Sequence, residues 1–195
     1  MSSPLFRANF FFSVSHDLCR NFDYYYLQER GILIPITHYQ KSQEGFMKKA
    51  LIVYHSRTGK TEAMANYIGE GLRFCAVEVV LKKISEIDNE LDIVGYDAYI
   101  FGCPTYHKDM TGGMKQFLFK AELANLVGKI GGGFGSHTHS GESAPMLFDT
   151  MMYVFKMDMT DLGPLKLTED MVGSTAGIKA CHDYGKAIGE KLVPQ

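Results

Sequence analysis

Residues 56–61, Ser-Arg-Thr-Gly-Lys-Thr, set three hydroxyls, Ser56, Thr58 and Thr61, around Gly59 at the end of an apolar run. Where such a loop opens a helix, hydroxyls and unpaired backbone N–H groups bind a phosphate, helped by the helix dipole and without a metal. Gly59, Lys60 and Thr61 also echo the close of a triphosphate loop. That loop needs a glycine five residues before its last glycine, and Tyr54 occupies the position. No apolar strand ends in an aspartate that could help hold magnesium. The chemistry that fits is one monoester phosphate; the alternative is an ordinary helix cap.

Two further stretches are rich in groups that contact ligands. Residues 102–118, GCPTYHKDMTGGMKQFL, contain Pro104, Thr105, Tyr106 and His107, and an aromatic face suits a flat heterocycle. Residues 135–145, GSHTHSGESAP, offer Ser136, His137, Thr138, His139 and Gly141. Two histidines two apart, with no suitably spaced carboxylate, do not make a zinc site, and no metal is expected. His55 and His182 read as packing or surface residues. Cys19, Cys75, Cys103 and Cys181 are scattered without a Cys-x-x-Cys pair, which fits buried thiols in a reducing cytoplasm.

The elements that must position these loops alternate. ALIVY (50–54) is a continuous apolar run, and Met64, Ile68 and Leu72 then share one helical face over 61–74. VEVVL (77–81) predicts a second strand, 85–95 a short or irregular helical connection, and AYIFG (98–102) a third strand. Met114, Phe117, Leu118 and Ala121 predict a helix, followed by a glycine-weakened strand, KIGGGFGS (129–136). A helix is expected over 143–155, with Ser143 as cap and Pro145 in the first turn, then a last strand near 156–163. Ile178, Cys181, Tyr184, Ile188 and Leu192 predict a closing helix packed on the sheet. Five strands alternating with helices imply a parallel sheet covered on both faces, with ligands at the carboxyl ends of the strands.

SRTGKT resembles the FMN phosphate loop of the flavodoxin-like family, strand then Ser/Thr-x-Thr-Gly-x-Thr, matching at Ser56, Thr58, Gly59 and Thr61. The resemblance runs from residue 47 to about 193. It implies a three-layer α/β fold whose five-stranded parallel sheet has the order 2-1-3-4-5. It also implies FMN as cofactor, held by residues 56–61, Arg57 and Lys60 included. Residues 102–118 look like the family's second flavin loop: Pro104 shapes it, Thr105 would hydrogen-bond the cofactor, and Tyr106 and His107 would cover the isoalloxazine. Residues 135–145 sit where the third loop meets the pyrimidine edge, through Ser136, His137, Thr138, His139, Gly141 and backbone amides.

Residues 1–46 have no counterpart in that family. They hold aromatic clusters, FFF at 10–12 and YYY at 24–26, without sustained periodicity, and Met47 opens MKKALIVYHS. Gln43-Glu44-Gly45 can be encoded by a purine-rich ribosome-binding sequence just upstream of Met47. The expectation is translated leader sequence with little structure, ahead of a domain over 47–195; the alternative is an extension packed on the domain or a partner. The mass of the native N-terminus distinguishes them.

Net charge over the 195 residues is -2, so no basic surface points to nucleic acid, and no run approaches the length of a membrane span. Carrier flavodoxins are typically markedly acidic, which this chain is not. Three functions follow from the resemblance: electron transfer between redox partners, NAD(P)H-dependent quinone reduction, or a non-catalytic interaction module. No catalytic side chain is assigned, and nothing in the sequence establishes an oligomer.

Overall fold

Continuous apolar runs become buried parallel strands only when helices cover both faces of the sheet, and this chain meets that condition from residue 47 onward. The computed structural model describes residues 47–193 and, as backbone, residues 24–27 and 32–35. The chain divides into two units, Met1–Phe46 and Met47–Gln195. In the first, β1 (Tyr24–Leu27) and β2 (Ile32–Pro35) pair antiparallel. The leader expectation for residues 1–46 otherwise lies outside the described residues.

In the second unit β3 (Lys49–Tyr54) is central, and its residues from Ala50 to Tyr54 are all buried. It pairs in parallel with β4 (Glu78–Lys83) and with β5 (Ala98–Gly102), which in turn pairs with β6 (Ile130–His137). Two 3-10 turns, Ile84–Glu86 and Glu90–Asp92, form the irregular connection after β4. Four helices complete the layers: α1 (Lys60–Arg73), α2 (Gly112–Leu123), α3 (Ser143–Asp149) and α4 (Thr175–Leu192). Counted within this unit the strand order is 2-1-3-4-5, the expected three-layer arrangement.

Alternate side chains of β3, β4 and β5 feed two cores. Met64, Ile68 and Leu72 of α1 meet Cys181, Tyr184 and Ile188 of α4 on one face. Met114 and Phe117 of α2 meet Leu147, Met151 and Phe155 on the other. The α1–α4 pair is drawn tight by glycine: a Cβ at Gly185 would stand 2.1 Å from the Ile68 carbonyl oxygen.

Two expectations need correction. The last strand is not one run over 156–163 but two pieces, β7 (Asp158–Met159) beside Ile130–Gly131 and β8 (Leu165–Thr168) beside Phe134–His137. Residues 161–164 leave the ladder, and Tyr184 fills the gap: its hydroxyl accepts from Gly133 N–H at 3.1 Å and lies 3.0 Å from the Gly133 and Gly163 carbonyl oxygens. Such backbone groups, buried without a partner, would each cost about 1–3 kcal/mol. The second correction concerns 143–155, where the α-helix ends at Asp149 and a π turn (Thr150–Val154) follows, closed by Phe155 N–H to Thr150 O at 3.1 Å. The extra residue per turn keeps Met151 and Phe155 in the core while Tyr153 and Val154 face out.

Candidate functional site

The carboxyl ends of β3, β5 and β6 deliver the three loops to one edge of the sheet. After β3, Gly59 takes the N-cap position of α1 at φ 83°, a left-handed conformation that costs other residues about 1–2 kcal/mol. A Cβ there would meet nothing within 4 Å, so the backbone conformation, not crowding, calls for glycine. The Ser56 hydroxyl accepts from Gly59 N–H at 3.1 Å and closes the turn. No side chain caps α1, so its first-turn N–H groups stay available to an anion.

The six predicted residues of this loop divide by role. Thr58 is exposed, and its hydroxyl has no protein partner among the described residues; Lys60 begins the helix with no ion pair among them. Thr61 turns inward at 1% exposure, and its hydroxyl shares a 2.8 Å hydrogen bond with that of Ser136, itself 1% exposed. The pair ties the first loop to the end of β6 across the sheet. The Arg57 guanidinium lies over the Tyr106 ring, 5.1 Å from its centroid.

After β5, Pro104 is buried, and Thr105 is committed to the protein. Its N–H donates to Ser136 O at 3.0 Å, and its hydroxyl bonds that of Ser143 at 2.8 Å while accepting from Ser143 N–H at 3.2 Å. Ser143 is therefore a strut rather than the helix cap: its hydroxyl donates to Cys103 O at 2.7 Å, and Glu142 occupies the cap position. Tyr106 and Asp109 exchange backbone hydrogen bonds of 3.1 and 3.0 Å around a two-residue turn. His107 and Lys108 sit there at φ 51° and 60°, where glycine and asparagine are the usual residues. Non-glycine residues in that region mark stored strain, which clusters at ligand sites. The Lys115 ammonium bonds the Asp109 carboxylate and holds the far end of the turn.

After β6, His137, Thr138, His139 and Ser140 face Thr105–Lys108 across a slot of about 320 Å³. Gly141, at φ 73°, folds the third loop onto His137; a Cβ there would be 2.6 Å from the imidazole. His137 Nδ1 is buried and has no hydrogen-bond partner among the described residues. Burial first, and the Lys166 charge second, lower the His137 pKa, so its neutral form is favoured. Of the predicted third-loop residues, Ser136 and Gly141 do not line the slot.

Two participants were not legible beforehand. His55, read from the sequence as a packing or surface residue, lines a second hollow of about 510 Å³ with Arg57, Tyr106, His107 and Asp109–Gly112. Burial, then Arg57, lower its pKa. Its place directly after the β3 run was the available signal. Ser143 was the other, and only the fold brings it to Thr105. His182 lies elsewhere, bonded to Glu70 at 2.8 Å.

The residues present fit FMN. The N-terminus of α1 has no side-chain cap and could take a phosphate, and the slot of about 320 Å³ carries a buried nitrogen without a partner among the described residues. Among the described residues no group of three or more His, Cys, Asp or Glu is placed to hold a metal ion.

Comparison with known proteins agrees. The chain is 34% identical to a flavodoxin of Clostridium saccharobutylicum over 45% of its length, which spans only 55% of that protein. It is 32% identical to an NAD(P)H dehydrogenase (quinone) of Bradyrhizobium diazoefficiens, covering 67% of this chain and 81% of that one. The structure of a flavodoxin from the Archaea superposes with a TM-score of 0.68 at 30% identity, over 74% of this chain and 98% of the other. The family model for flavodoxin matches residues 52–171, and with the strand order and the three loops this establishes the chain as a member of the flavodoxin family, whose cofactor is FMN.

Proposed function

We propose that the protein is an FMN-binding electron carrier that passes electrons between redox partners in a reducing cytoplasm. The observation that carries the reading is the uncapped N-terminus of α1 behind the Ser56–Thr61 loop, next to the slot between Tyr106 and His137. Bound FMN supplies the electron-transfer chemistry, and the chain supplies position and electrostatics.

On this reading the first-turn N–H groups of α1, with Thr58 and Lys60, hold the phosphate. Tyr106 and His107 cover the ring, and Thr138, His139 and loop amides meet its polar edge. The neutral His137 gives its unpaired nitrogen to that edge and completes a bond the fold leaves open. Thr61, Ser136, Thr105 and Ser143 brace these loops against one another. No helix among the described residues is long and apolar enough to cross a membrane.

The second reading, an NAD(P)H-dependent quinone reductase, is favoured by the 32% identity to the Bradyrhizobium enzyme and by a net charge of only -2. One experiment separates the two. The purified full chain is titrated with FMN, followed by visible absorbance and fluorescence quenching, and then mixed anaerobically with NADH and NADPH. A carrier binds FMN and ignores both nucleotides; bleaching within seconds identifies the reductase. A chain that binds no FMN refutes both.

A further inference from the structure

Tyr106 stands between two hollows. On one side is the slot it shares with His137–Ser140; on the other is the larger hollow lined by His55, Arg57 and Asp109–Gly112. The Arg57 guanidinium sits on this second side, 5.1 Å from the ring centroid, and pairs with no carboxylate among the described residues. A guanidinium within about 6 Å of an aromatic face is attracted by the ring quadrupole.

We propose that Arg57 is a positioning residue: its side chain backs the outer face of Tyr106 and fixes the wall of the ring slot, rather than holding the phosphate of its own loop. This rests on the reading that the slot takes a flavin ring. Two backbone hydrogen bonds to Asp109 hold the Tyr106 main chain across the turn at His107 and Lys108, but they do not set the orientation of its ring. Asp109, held by Lys115, fixes the far end of the turn, and Arg57 is the charged group on the ring itself. Arg57 lies beside Ser56, whose hydroxyl closes the phosphate loop, so the state of that loop and the orientation of Tyr106 are mechanically joined.

The test uses riboflavin, which has the ring but no phosphate. Full-length wild type, Arg57→Met and Arg57→Lys are titrated with FMN and with riboflavin by flavin fluorescence. Arg57→Met is expected to weaken both by about threefold to tenfold, Arg57→Lys to recover part of the loss, and Arg57→Met to add nothing in a Tyr106→Leu background. The Arg57 side-chain protons of the flavin-free protein are expected to show an upfield ring-current shift that Tyr106→Leu removes. A loss confined to FMN overturns the proposal and returns Arg57 to the phosphate. Unchanged affinities, or no ring-current shift, also overturn it. A wild type that binds neither flavin refutes the FMN reading itself, an outcome distinct from each of these.

Discussion

The phosphate loop and the ring slot lie at the same edge of the same sheet, yet they are finished to different degrees. In the loop, positive φ falls on Gly59, the Ser56 hydroxyl closes the turn, and Thr61 is anchored on Ser136. In the slot, positive φ falls on His107 and Lys108, and His137 keeps a buried nitrogen without a partner among the described residues. A helix N-terminus needs little rearrangement to accept an anion, because its donors are aligned by the helix behind them. The first loop is closed by its own hydrogen bonds, whereas the slot keeps two non-glycine residues at positive φ and a buried nitrogen without a partner among the described residues.

Substitutions can break that contrast in graded steps. Thr61→Val should have the largest effect, because it strips the buried Ser136 hydroxyl of its partner. A loss of about 1–3 kcal/mol of stability is expected by thermal or urea unfolding, with partial recovery in Thr61→Val/Ser136→Ala. Thr58→Val should leave stability unchanged and weaken FMN by about tenfold to a hundredfold with little change for riboflavin, since a hydrogen bond to a charged group is worth about 1.5–3 kcal/mol. If Thr61→Val spared stability, or Thr58→Val reduced it, the division between brace and ligand contact would be wrong.

Lys108→Gly should act in the opposite direction and stabilise the flavin-free protein by about 1 kcal/mol, because glycine adopts positive φ without the Cβ penalty. A destabilised variant would show that the turn is not strained. The smallest effect concerns pH. The His137 pKa is lowered in the fold, so between that value and about 6.5 the unfolded chain binds more protons than the native one. Stability therefore falls as pH drops through that window, and His137→Asn should flatten the profile. His55, lowered for the same leading reason, contributes with the same sign, so the double variant should be flatter still.

The parts of the fold legible in the sequence were those governed by local periodicity. Ala50–Tyr54 and Ala98–Gly102 are apolar runs long enough for one strand each, and the Met64, Ile68, Leu72 spacing admits only a helix with one buried face. The last strand was legible where β7 lies, but its break and second piece were not, because they depend on Tyr184, far along the chain, which satisfies the backbone where residues 161–164 depart. The helix over 143–155 was legible as a helix. Its π turn was not, because one added residue changes which side chains reach the core without changing the composition.

Within the site, the chain alone determined the kind of chemistry. Hydroxyls around one glycine after a buried strand fit a single phosphate or an ordinary helix cap, because hydrogen-bonding type and turn preference are local properties of residues, and the flat ring was implied by the resemblance of all three loops to the flavodoxin-like family. Which hydroxyls are bonded within the protein and which are left without a partner among the described residues was decided only by tertiary structure. Thr58 and Thr61 are three residues apart in one motif, but Thr61 meets Ser136, 75 residues away, at 2.8 Å, and Thr105 meets Ser143 at the same distance. The pairing of Arg57 with Tyr106 belongs to the same class. Each depends on two loops arriving at one sheet edge, and their arrival is set by the register of parallel strands that no local pattern encodes.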